Sequence, residues 1–461
     1  MIPNTNNLTD NKAYKGFEAT KTTDKIENNT DRIKQKAQQI LETGDAFKYI
    51  LDTWNKYHVG DRNTGEICFC AIGSTYILNS RGIHVKLNGP SGKGKSDAAD
   101  TVSELIPPFK LKATSISPKV LYYDRTLKAG TLICSDDIEI SEPIAETIKR
   151  STSNYQRETK HATLKTQELL ELSIPPRVCW ILTSVDSLED EQLGNRFISV
   201  DINDTLEQDQ LVYDNILIGE MNNKDIMQSP EDVLVCRQIF EIIGGDDTTP
   251  KLYQIAIPFA KCIDFVDKSN RRNPKIFFDI IRAVALYHIK QRELFNDFYL
   301  ATVDDFNRAK EIYGKVALNR KTNLTGQELK VLKMMEQNSG SDIGYSEIAN
   351  YLGVSETRAK QIVNGKKGNS GLLAKVKGFN VIDQTQRMGD ETSSIDTSIK
   401  KLLFTYNPRF DFEMSNFVSL VGLVDEAISE YKAINKENVE LEVNMDLEST
   451  HFSEEGSLSS S

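Results

Sequence analysis

The chain has 461 residues, of which 39% are hydrophobic and 27% are charged, with 13 Pro and 26 Gly. This length allows about three domains of ordinary size, and the composition excludes a wholly disordered, collagenous or membrane-spanning chain. The formal charge of −11 argues weakly against a protein that coats nucleic acid with its whole surface, because such proteins are usually basic.

Two further properties of the sequence concern its compartment. No run of about 18 apolar residues predicts a transmembrane helix, and the polar N-terminus lacks the apolar core of a secretory signal. We therefore expect a cytoplasmic protein. The 6 cysteines lie in apolar runs without metal-ligand spacing, which predicts buried thiols rather than disulfides or a zinc site.

Hydrophobic periodicity and changes in composition divide the chain into segments. Strands alternate with helices in the longest segment, as in an open α/β sheet. The predicted segments are a disordered N-terminus (1–30), a helical segment (31–80), an α/β core with a helical lid (81–318), a polar joint (319–323), a small module (324–410), a helical extension (411–436) and an acidic disordered tail (437–461).

The most specific motif is a phosphate loop with the pattern G-x-x-x-x-G-K-[ST]. It follows a predicted strand and precedes a helical run, a context that a chance Gly/Lys turn would lack. Its backbone N–H groups and the helix N-terminus suit phosphate oxygens, so we expect ATP here, with Lys95 on the β- and γ-phosphates and Ser96 on Mg²⁺. The predicted phosphate-binding residues are Gly89, Pro90, Ser91, Gly92, Lys93, Gly94, Lys95 and Ser96.

A second predicted strand, over 131–134, leads to two adjacent carboxylates. We expect Asp136 to hold the metal ion and Asp137 to orient or deprotonate the attacking water. An ordinary turn after a strand is the alternative interpretation. A third predicted strand, over 178–182, ends at Thr183 and Ser184.

The order of these elements, followed by Leu193-Gly194-Asn195-Arg196-Phe197-Ile198-Ser199-Val200, resembles the AAA+ core of minichromosome-maintenance (MCM) helicases. The compact MCM-like helicases of plasmids and other mobile elements fit best. The resemblance implies that Ser184 senses the γ-phosphate and that Arg196 is an arginine finger reaching the neighbouring subunit's site. It also implies a ring, usually a hexamer. A strand cap and a surface ion pair are the alternatives for these two residues.

The resemblance extends to a lid helix over 274–290, where the second sensor position falls on Lys275. Lys at that position departs from the family's Arg and loses its bidentate fork. A second departure is Asp137 in place of the usual Glu, with Glu139 as the alternative carboxylate.

A basic stretch between Ile148 and Arg177 precedes the third strand, where MCM-like proteins have a DNA-gripping hairpin. We expect Lys160, His161 and Lys165 near its tip, with Arg157 beside it, contacting phosphates without reading sequence. A solvated charged loop is the alternative.

The module at 324–410 contains a helix-turn-helix pattern over 345–363, with Gly353 at the turn and Ser355 as the cap of the second helix. A helix over 325–335 precedes it, and strands over 372–378 and 400–406 are predicted to form a wing. Its basic residues predict DNA contact, with a protein-docking module as the alternative. The predicted DNA-binding residues in this module are Arg358, Lys360, Lys366 and Lys367.

Together, the motifs and the resemblance imply an ATP- and Mg²⁺-dependent DNA helicase that acts on single-stranded DNA during replication of a mobile element. The resemblance implies that it works as a homo-oligomeric ring, usually a hexamer. One alternative is an origin-binding initiator in which ATP controls assembly. Another is an AAA+ remodeller of proteins. The acidic tail accounts for much of the −11 charge, and we expect it to compete with DNA for the basic surfaces.

Overall fold

The structure is a computed structural model. It describes residues 29–113, 120–135, 140–165, 168–184, 191–221, 230–245, 248–265, 268, 271–322, 326–338, 343–366, 369–376, 379–388, 397–406 and 417–436. Asp136, Asp137, Glu139, Lys367 and the acidic tail lie outside these ranges.

Residues 29–245 alternate helices and strands. The helices are α1 (29–43), α2 (Ala46–Tyr57), α3 (Arg62–Ser74), α4 (Lys95–Leu105), α5 (Val120–Tyr123), α6 (Glu142–Ser153), α7 (Glu191–Gly194), α8 (Leu206–Met221) and α9 (Glu231–Gly244). The strands are β1 (Val85–Asn88), β2 (Leu111–Ala113), β3 (Leu132–Ser135), β4 (Thr159–Lys165), β5 (Glu168–Ile174), β6 (Cys179–Ser184) and β7 (Ile198–Asp201).

Five of these strands form a parallel sheet in the order β2-β3-β6-β1-β7. Successive side chains of β6 enter opposite cores: Ile181 joins the cluster formed with helices α2 to α4, whereas Trp180 and Leu182 join a second cluster with Ile148. Both faces of the sheet are therefore covered, which explains the continuous apolar runs of its central strands. The α/β prediction and the three predicted strands are confirmed.

The predicted basic hairpin is present as the antiparallel pair β4–β5. It joins α6 to β6, and its base is closed by the backbone N–H of Arg177, which donates to the carbonyl of Tyr155 at 2.6 Å. Its far end lies at the Lys165 and Glu168 pair.

The second half of the predicted core, where we expect a lid, contains further helices and short strands. Its elements are β8 (Ile255–Ala256), β9 (Ile263–Phe265), α10 (Arg272–Tyr287), β10 (Leu294–Phe295), β11 (Phe298–Leu300) and α11 (Val303–Thr322). The predicted joint at 319–323 is largely helical instead, because α11 continues to Thr322. Its residues include no Gly or Pro that would end a helix. The buried carboxylate of Glu66 fixes α11, accepting bonds from Arg308 at 2.6 Å and Lys315 at 2.8 Å.

The C-terminal module has its own small core. Its elements are α12 (Gly326–Gln337), β12 (Ile343–Gly344), α13 (Tyr345–Leu352), α14 (Glu356–Asn364), β13 (Gly365–Lys366), β14 (Asn369–Ser370), α15 (Leu372–Lys375), β15 (Phe379–Met388) and β16 (Thr397–Tyr406).

Helices α13 and α14 form the predicted helix-turn-helix. Gly353 adopts a φ of 66° at the turn, and the Ser355 hydroxyl accepts from the backbone N–H of Arg358 at 3.3 Å. The predicted strand over 372–378 is wrong, because Leu372–Lys375 is the short helix α15. Its Leu-Leu-Ala-Lys sequence consists of good helix formers.

The chain then returns to the core. Strand β17 (Val418–Leu420) pairs with β9, and a helix, α16 (424–436), follows. The extension at 411–436 was predicted to be helical only, so this strand is a correction. Val418 and Ala427 are buried in the main core. None of the helices within the described ranges is long and apolar enough to span a bilayer.

Candidate nucleotide site

The phosphate loop connects β1, which lies between β6 and β7 in the sheet, to the start of α4. Gly92 and Gly94 have φ angles of 77° and 91°, which glycine adopts without strain. Lys95, the first residue of α4, is only 5% exposed. Its ammonium group donates to the carbonyls of Gly89 and Pro90, each at 3.0 Å. The helix N-terminus and this lysine therefore face the same loop, as phosphate binding requires.

Three strand ends meet beside this loop. In the sheet β6 lies between β1 and β3, with Asn88 opposite Ser184 and Ser135 opposite Leu182. The parallel register brings the backbone of Ser184 next to the start of the phosphate loop, although its side chain is outside what the structure describes. Asp136 and Asp137, which follow β3 directly, also lie outside the described residues.

Two buried oxygens at this edge lack a hydrogen-bond partner among the described residues. They are Oδ1 of Asn88 and Oγ of Ser135; the amide nitrogen of Asn88 donates to Asp201 at 3.2 Å. A buried acceptor without a partner is costly, and oxygen donors suit Mg²⁺ and its waters. The residues present therefore fit a nucleotide with a hydrated Mg²⁺, and Ser96 in the first turn of α4 is placed to contribute a further oxygen.

The loop after α2 braces the phosphate loop through an ion cluster, which we call the His58 cluster: His58, Asp61 and Asp97. The His58 ring nitrogens lie 2.5 Å from Asp97 and 3.3 Å from Asp61. Burial alone would lower the pKa of His58, but the hydrogen bonds to the two carboxylates outweigh it and raise the pKa to about 9. The cluster therefore holds the protonated His58 ring against the phosphate loop. The two are so close that a β-carbon added to Gly94 would lie 3.4 Å from the ring.

The sequence did not reveal the His58 cluster, because 39 residues separate His58 from Asp97 and no motif joins them. Asn88 was also missed. The signal that could have found it is its position as the last strand residue before the phosphate loop.

Helix α8 is attached to the same loop. Lys93 donates to both carboxylate oxygens of Asp209, at 2.8 and 2.5 Å, and the Gln208 side chain donates to the carbonyl of Val59 at 2.5 Å. Lys93 was predicted to bind phosphate, and in this structure its charge is directed to α8.

Arg196 lies far from its own phosphate loop along the sheet. It precedes β7, at the amino-terminal edge of the sheet, whereas the phosphate loop lies at the carboxyl-terminal edge. Its guanidinium donates to the carbonyl of Gln192 at 2.7 Å and to the hydroxyl of Ser153 at 2.9 Å. This position does not bring Arg196 together with Lys95 within one chain.

Lys275 lies in the first turn of α10 and is exposed. Among the described contacts, none joins it to the phosphate loop, so the structure does not bring it together with the other predicted nucleotide-binding residues.

The hairpin differs from the prediction in where its basic residues lie. Only Lys165 is at the tip; Lys160 and His161 are at the base, opposite Ser173 and Leu172, and Arg157 precedes β4. The strands are seven residues long, which separates Lys160 and His161 from the tip. The His161 ring packs on Tyr122, with centroids 4.9 Å apart, whereas Lys160 and Arg157 are exposed.

In the C-terminal module, Arg358 and Lys360 lie exposed on α14. Arg358 donates to Gln327 at 3.2 Å and to Gln361 at 3.3 Å, and Lys360 pairs with Glu356 at 3.0 Å. Lys366 lies in β13 with a side chain outside the described part, and Lys367 is outside it altogether.

Two comparisons with known proteins concern this region. A family model described as the MTBMA_p00010 P-loop domain matches residues 31–246. The chain is also similar to the uncharacterized protein MTBMA_p00010 of Methanothermobacter marburgensis, with 26% identity over 393 residues, covering 74% of this chain and 47% of the relative. The chain thus spans about half the length of that relative. The loop geometry, the parallel sheet and the family match agree that residues 31–246 contain a P-loop domain.

Proposed function

We propose that this protein is an ATP-dependent DNA helicase of the MCM-like AAA+ type, a ring motor that acts in replication of a mobile element. The observation that carries the proposal is the order of strands in the sheet. Strand β6, with Thr183 and Ser184 at its end, lies between the strand of the phosphate loop and the strand that leads to Asp136 and Asp137. This order allows a polar sensor residue to lie between the phosphates and the catalytic carboxylates.

In this proposal each residue of the site has a distinct role. The glycine-rich loop and Lys95 bind the β- and γ-phosphates, while Ser96 and Asp136 hold Mg²⁺, which would neutralise charge on the phosphate oxygens. Asp137 orients or deprotonates the attacking water, and Ser184 contacts the γ-phosphate. Water molecules in the same site form hydrogen bonds with the buried oxygens of Asn88 and Ser135, which have no partner among the described residues.

The position of Arg196 supports a ring rather than a monomeric ATPase. Arg196 lies at the amino-terminal edge of the sheet, distant from the phosphate loop of its own chain. From that edge its side chain can reach the phosphate loop of a neighbouring subunit in a ring. A guanidinium stabilises transition-state charge well, because its donors can contact two phosphate oxygens at once. ATP hydrolysis would then require two docked subunits.

Two surfaces support DNA as the partner. The β4–β5 hairpin projects from the core just before β6 and carries exposed Arg157 and Lys160. Helix α14 of the C-terminal module, which we propose to be a winged helix, exposes Arg358 and Lys360. The register places Lys165 opposite Glu168 and Ala162 opposite Glu171, so the hairpin is of mixed charge. We expect its DNA binding to be weak and salt-sensitive.

The test uses two variants that should each be inactive alone. Lys95→Ala removes the phosphate-loop charge, and Arg196→Ala removes the finger. Mixed rings contain interfaces with an intact loop from one variant and an intact finger from the other, so mixing should restore a measurable part of DNA-stimulated ATPase activity and of forked-DNA unwinding.

Arg196→Lys serves as the control, since it keeps the charge but not the fork. No unwinding by any oligomer of the wild type would refute the helicase, and no recovery on mixing would refute the role of Arg196 in trans. Protection of one defined duplex site, with ATP bound but not hydrolysed, would instead favour an initiator.

A further inference from the structure

One contact between the C-terminal module and the core is made by the segment that leads from β7 into α8. We call this segment, residues 202–209, the connector. It begins beside the strand of the phosphate loop, because the backbone N–H of Ile202 donates to the carbonyl of Asn88 at 2.9 Å. The start of the connector is therefore attached directly to the nucleotide site.

Two further bonds attach the connector to the residues around the phosphate loop. Asp209 accepts from the ammonium group of Lys93 at 2.8 and 2.5 Å, and the backbone N–H of Asn203 donates to Asp61 of the His58 cluster at 2.7 Å. Lys93 belongs to the phosphate-loop motif, so the phosphates of a bound nucleotide compete with Asp209 for its charge. Nucleotide binding therefore acts on the connector through a contact that is present in the empty loop.

The same connector binds the C-terminal module through the carboxylate of Asp204. This carboxylate accepts from the side-chain amide of Gln327 at 2.7 Å and pairs with Lys330 at 3.6 Å, and both partners lie on α12. Gln327 extends the contact to α14, since its side-chain oxygen accepts from the guanidinium of Arg358 at 3.2 Å. A chain of hydrogen bonds thus connects the connector to the second helix of the helix-turn-helix.

The part of α14 held in this way is the part that helix-turn-helix proteins direct to DNA. In such proteins the first residues of the second helix contact the base edges, and Arg358 is the third residue of α14. Leu206 of the connector lies beside the preceding turn, where a β-carbon added to Gly353 would be 3.8 Å from it. The connector also contains three acidic residues, whose charges repel DNA phosphates. Docking on the connector and DNA binding by α14 therefore compete.

These docking contacts are polar and partly exposed, which suits a reversible arrangement. In the ion pair between Asp204 and Lys330 the side chains are 16% and 42% exposed. Such pairs and single hydrogen bonds each stabilise a contact only slightly, so that a bound ligand can outweigh them. The module has a hydrophobic core of its own, and it can therefore separate from the connector without unfolding.

We propose that the connector holds the C-terminal module in a closed arrangement that withholds Arg358 from DNA, and that nucleotide binding opens it. The phosphates attract Lys93 away from Asp209, which loosens the connector and weakens the contact of Asp204 with α12. By linkage, DNA bound to α14 raises the affinity for nucleotide by the factor by which nucleotide raises the affinity for DNA. The inference rests on two parts of the proposed function, nucleotide binding and DNA contact by α14, but it requires neither hydrolysis nor unwinding.

The first experiment measures the closed arrangement in the full-length protein without DNA. A carbodiimide joins a carboxylate to a lysine in contact with it, so mass spectrometry of peptides can quantify the link between Asp204 and Lys330. With Mg²⁺ and a non-hydrolysable ATP analogue, whose binding is verified by a rise in Tm, the yield of this link should fall at least threefold. The link between Glu293 and Lys432, which lie 2.7 Å apart, is the internal control. An unchanged yield with bound analogue would overturn the control by nucleotide.

The second experiment measures anisotropy of a labelled DNA duplex without nucleotide. Asp204→Ala and Gln327→Ala each break the contact between the connector and α14, and only the first removes a charge. Asp214→Ala is the matched control, since it removes the same charge from α8, where Asp214 accepts from Gln210 of the same helix at 2.8 Å. Both test variants should bind the duplex at least fivefold more tightly than the control. Arg358→Gln added to Asp204→Ala should abolish this gain.

The outcomes separate this inference from the proposed function. Equal affinities of Asp204→Ala and Asp214→Ala for the duplex would overturn the closed arrangement, and a gain that persists with Arg358→Gln would overturn the role of Arg358. Absence of duplex binding by every variant would refute DNA as the partner of the module, and the inference with it. A protein that passes both experiments but unwinds no DNA would refute the helicase alone.

Discussion

At the scale of single residues, the phosphate loop is braced by a charge that comes from another part of the chain. His58 lies between Asp97, in the first turn of α4, and Asp61, at the start of α3. Asp61 also accepts from the backbone N–H of Asn203 at 2.7 Å. The protonated His58 ring thus connects three segments around the loop. The folded protein is therefore more stable when His58 carries its proton.

We expect His58→Gln to destabilise the protein in a pH-dependent way. The folded-state pKa, about 9, lies above the unfolded value of about 6.5. The stabilisation is therefore fully present below about pH 6.5 and is lost as pH rises through about 9. Urea unfolding should show a deficit on the order of 1–3 kcal/mol at pH 6 that narrows by pH 10. His161→Gln on the hairpin is the control, and a deficit that stays constant with pH would contradict the role of the proton.

At the scale of elements, α8 is unusual because it has an apolar surface exposed to solvent. Of its residues only Gln208 is buried, while Leu211, Tyr213, Ile216 and Ile218 are more than half exposed. Exposed apolar patches of this kind mark interaction surfaces. Since α8 is bonded to the phosphate loop through Lys93 and Asp209, we propose that a second copy of the chain covers it and that this contact belongs to the ring interface.

We expect Leu211→Glu combined with Ile218→Glu to prevent assembly, because two charges would then be buried at the interface. Light scattering after gel filtration with ATP should give the mass of an oligomer for the wild type and of a monomer for the variant. ATPase activity should fall at least tenfold, with the Tm of the monomer unchanged. Gln210→Glu with Asn215→Glu adds the same charge to the same helix and is the control. Equal masses for both variants would count against the interface.

The accuracy of sequence-based prediction also varies between elements. Strands β3 and β6 were predictable because apolar residues continue through them, and β1 was predictable because apolar and polar residues alternate along it. The phosphate loop was predictable because its spacing is dictated by phosphate geometry. Strand β17 was not, since three residues carry little pattern and only its partner β9 explains it. The His58 cluster depends on contacts between distant segments, for which a single sequence carries no local signal.

At the scale of the whole molecule, the C-terminal module is an insertion within the core. Helix α11 leads out of the core, and β17 leads back into it. The two sides are in contact, since the rings of Tyr313 on α11 and Phe417 before β17 have centroids 5.2 Å apart. The segment after the module, from Phe417 to Lys436, is therefore part of the main core.

We expect truncation after Tyr406 to destabilise the core, although it removes only residues that follow the module. It deletes the buried Val418, worth about 1.5–3 kcal/mol, together with the partly buried Phe417 and Leu420. Differential scanning calorimetry should show a Tm lower by about 5 °C or more. Truncation after Lys436 is the control and should leave the Tm unchanged. Equal Tm values for the two truncations would show that β17 and α16 do not stabilise the core.

The contact between Tyr313 and Phe417 has a consequence for how such proteins diversify. Because the chain leaves and re-enters the core at neighbouring points, replacement of the intervening segment by another compact unit would leave the sheet and its phosphate loop connected as before. Recombination would thus exchange the C-terminal module while the P-loop core is inherited unchanged, and relatives of this chain should differ most between α11 and β17.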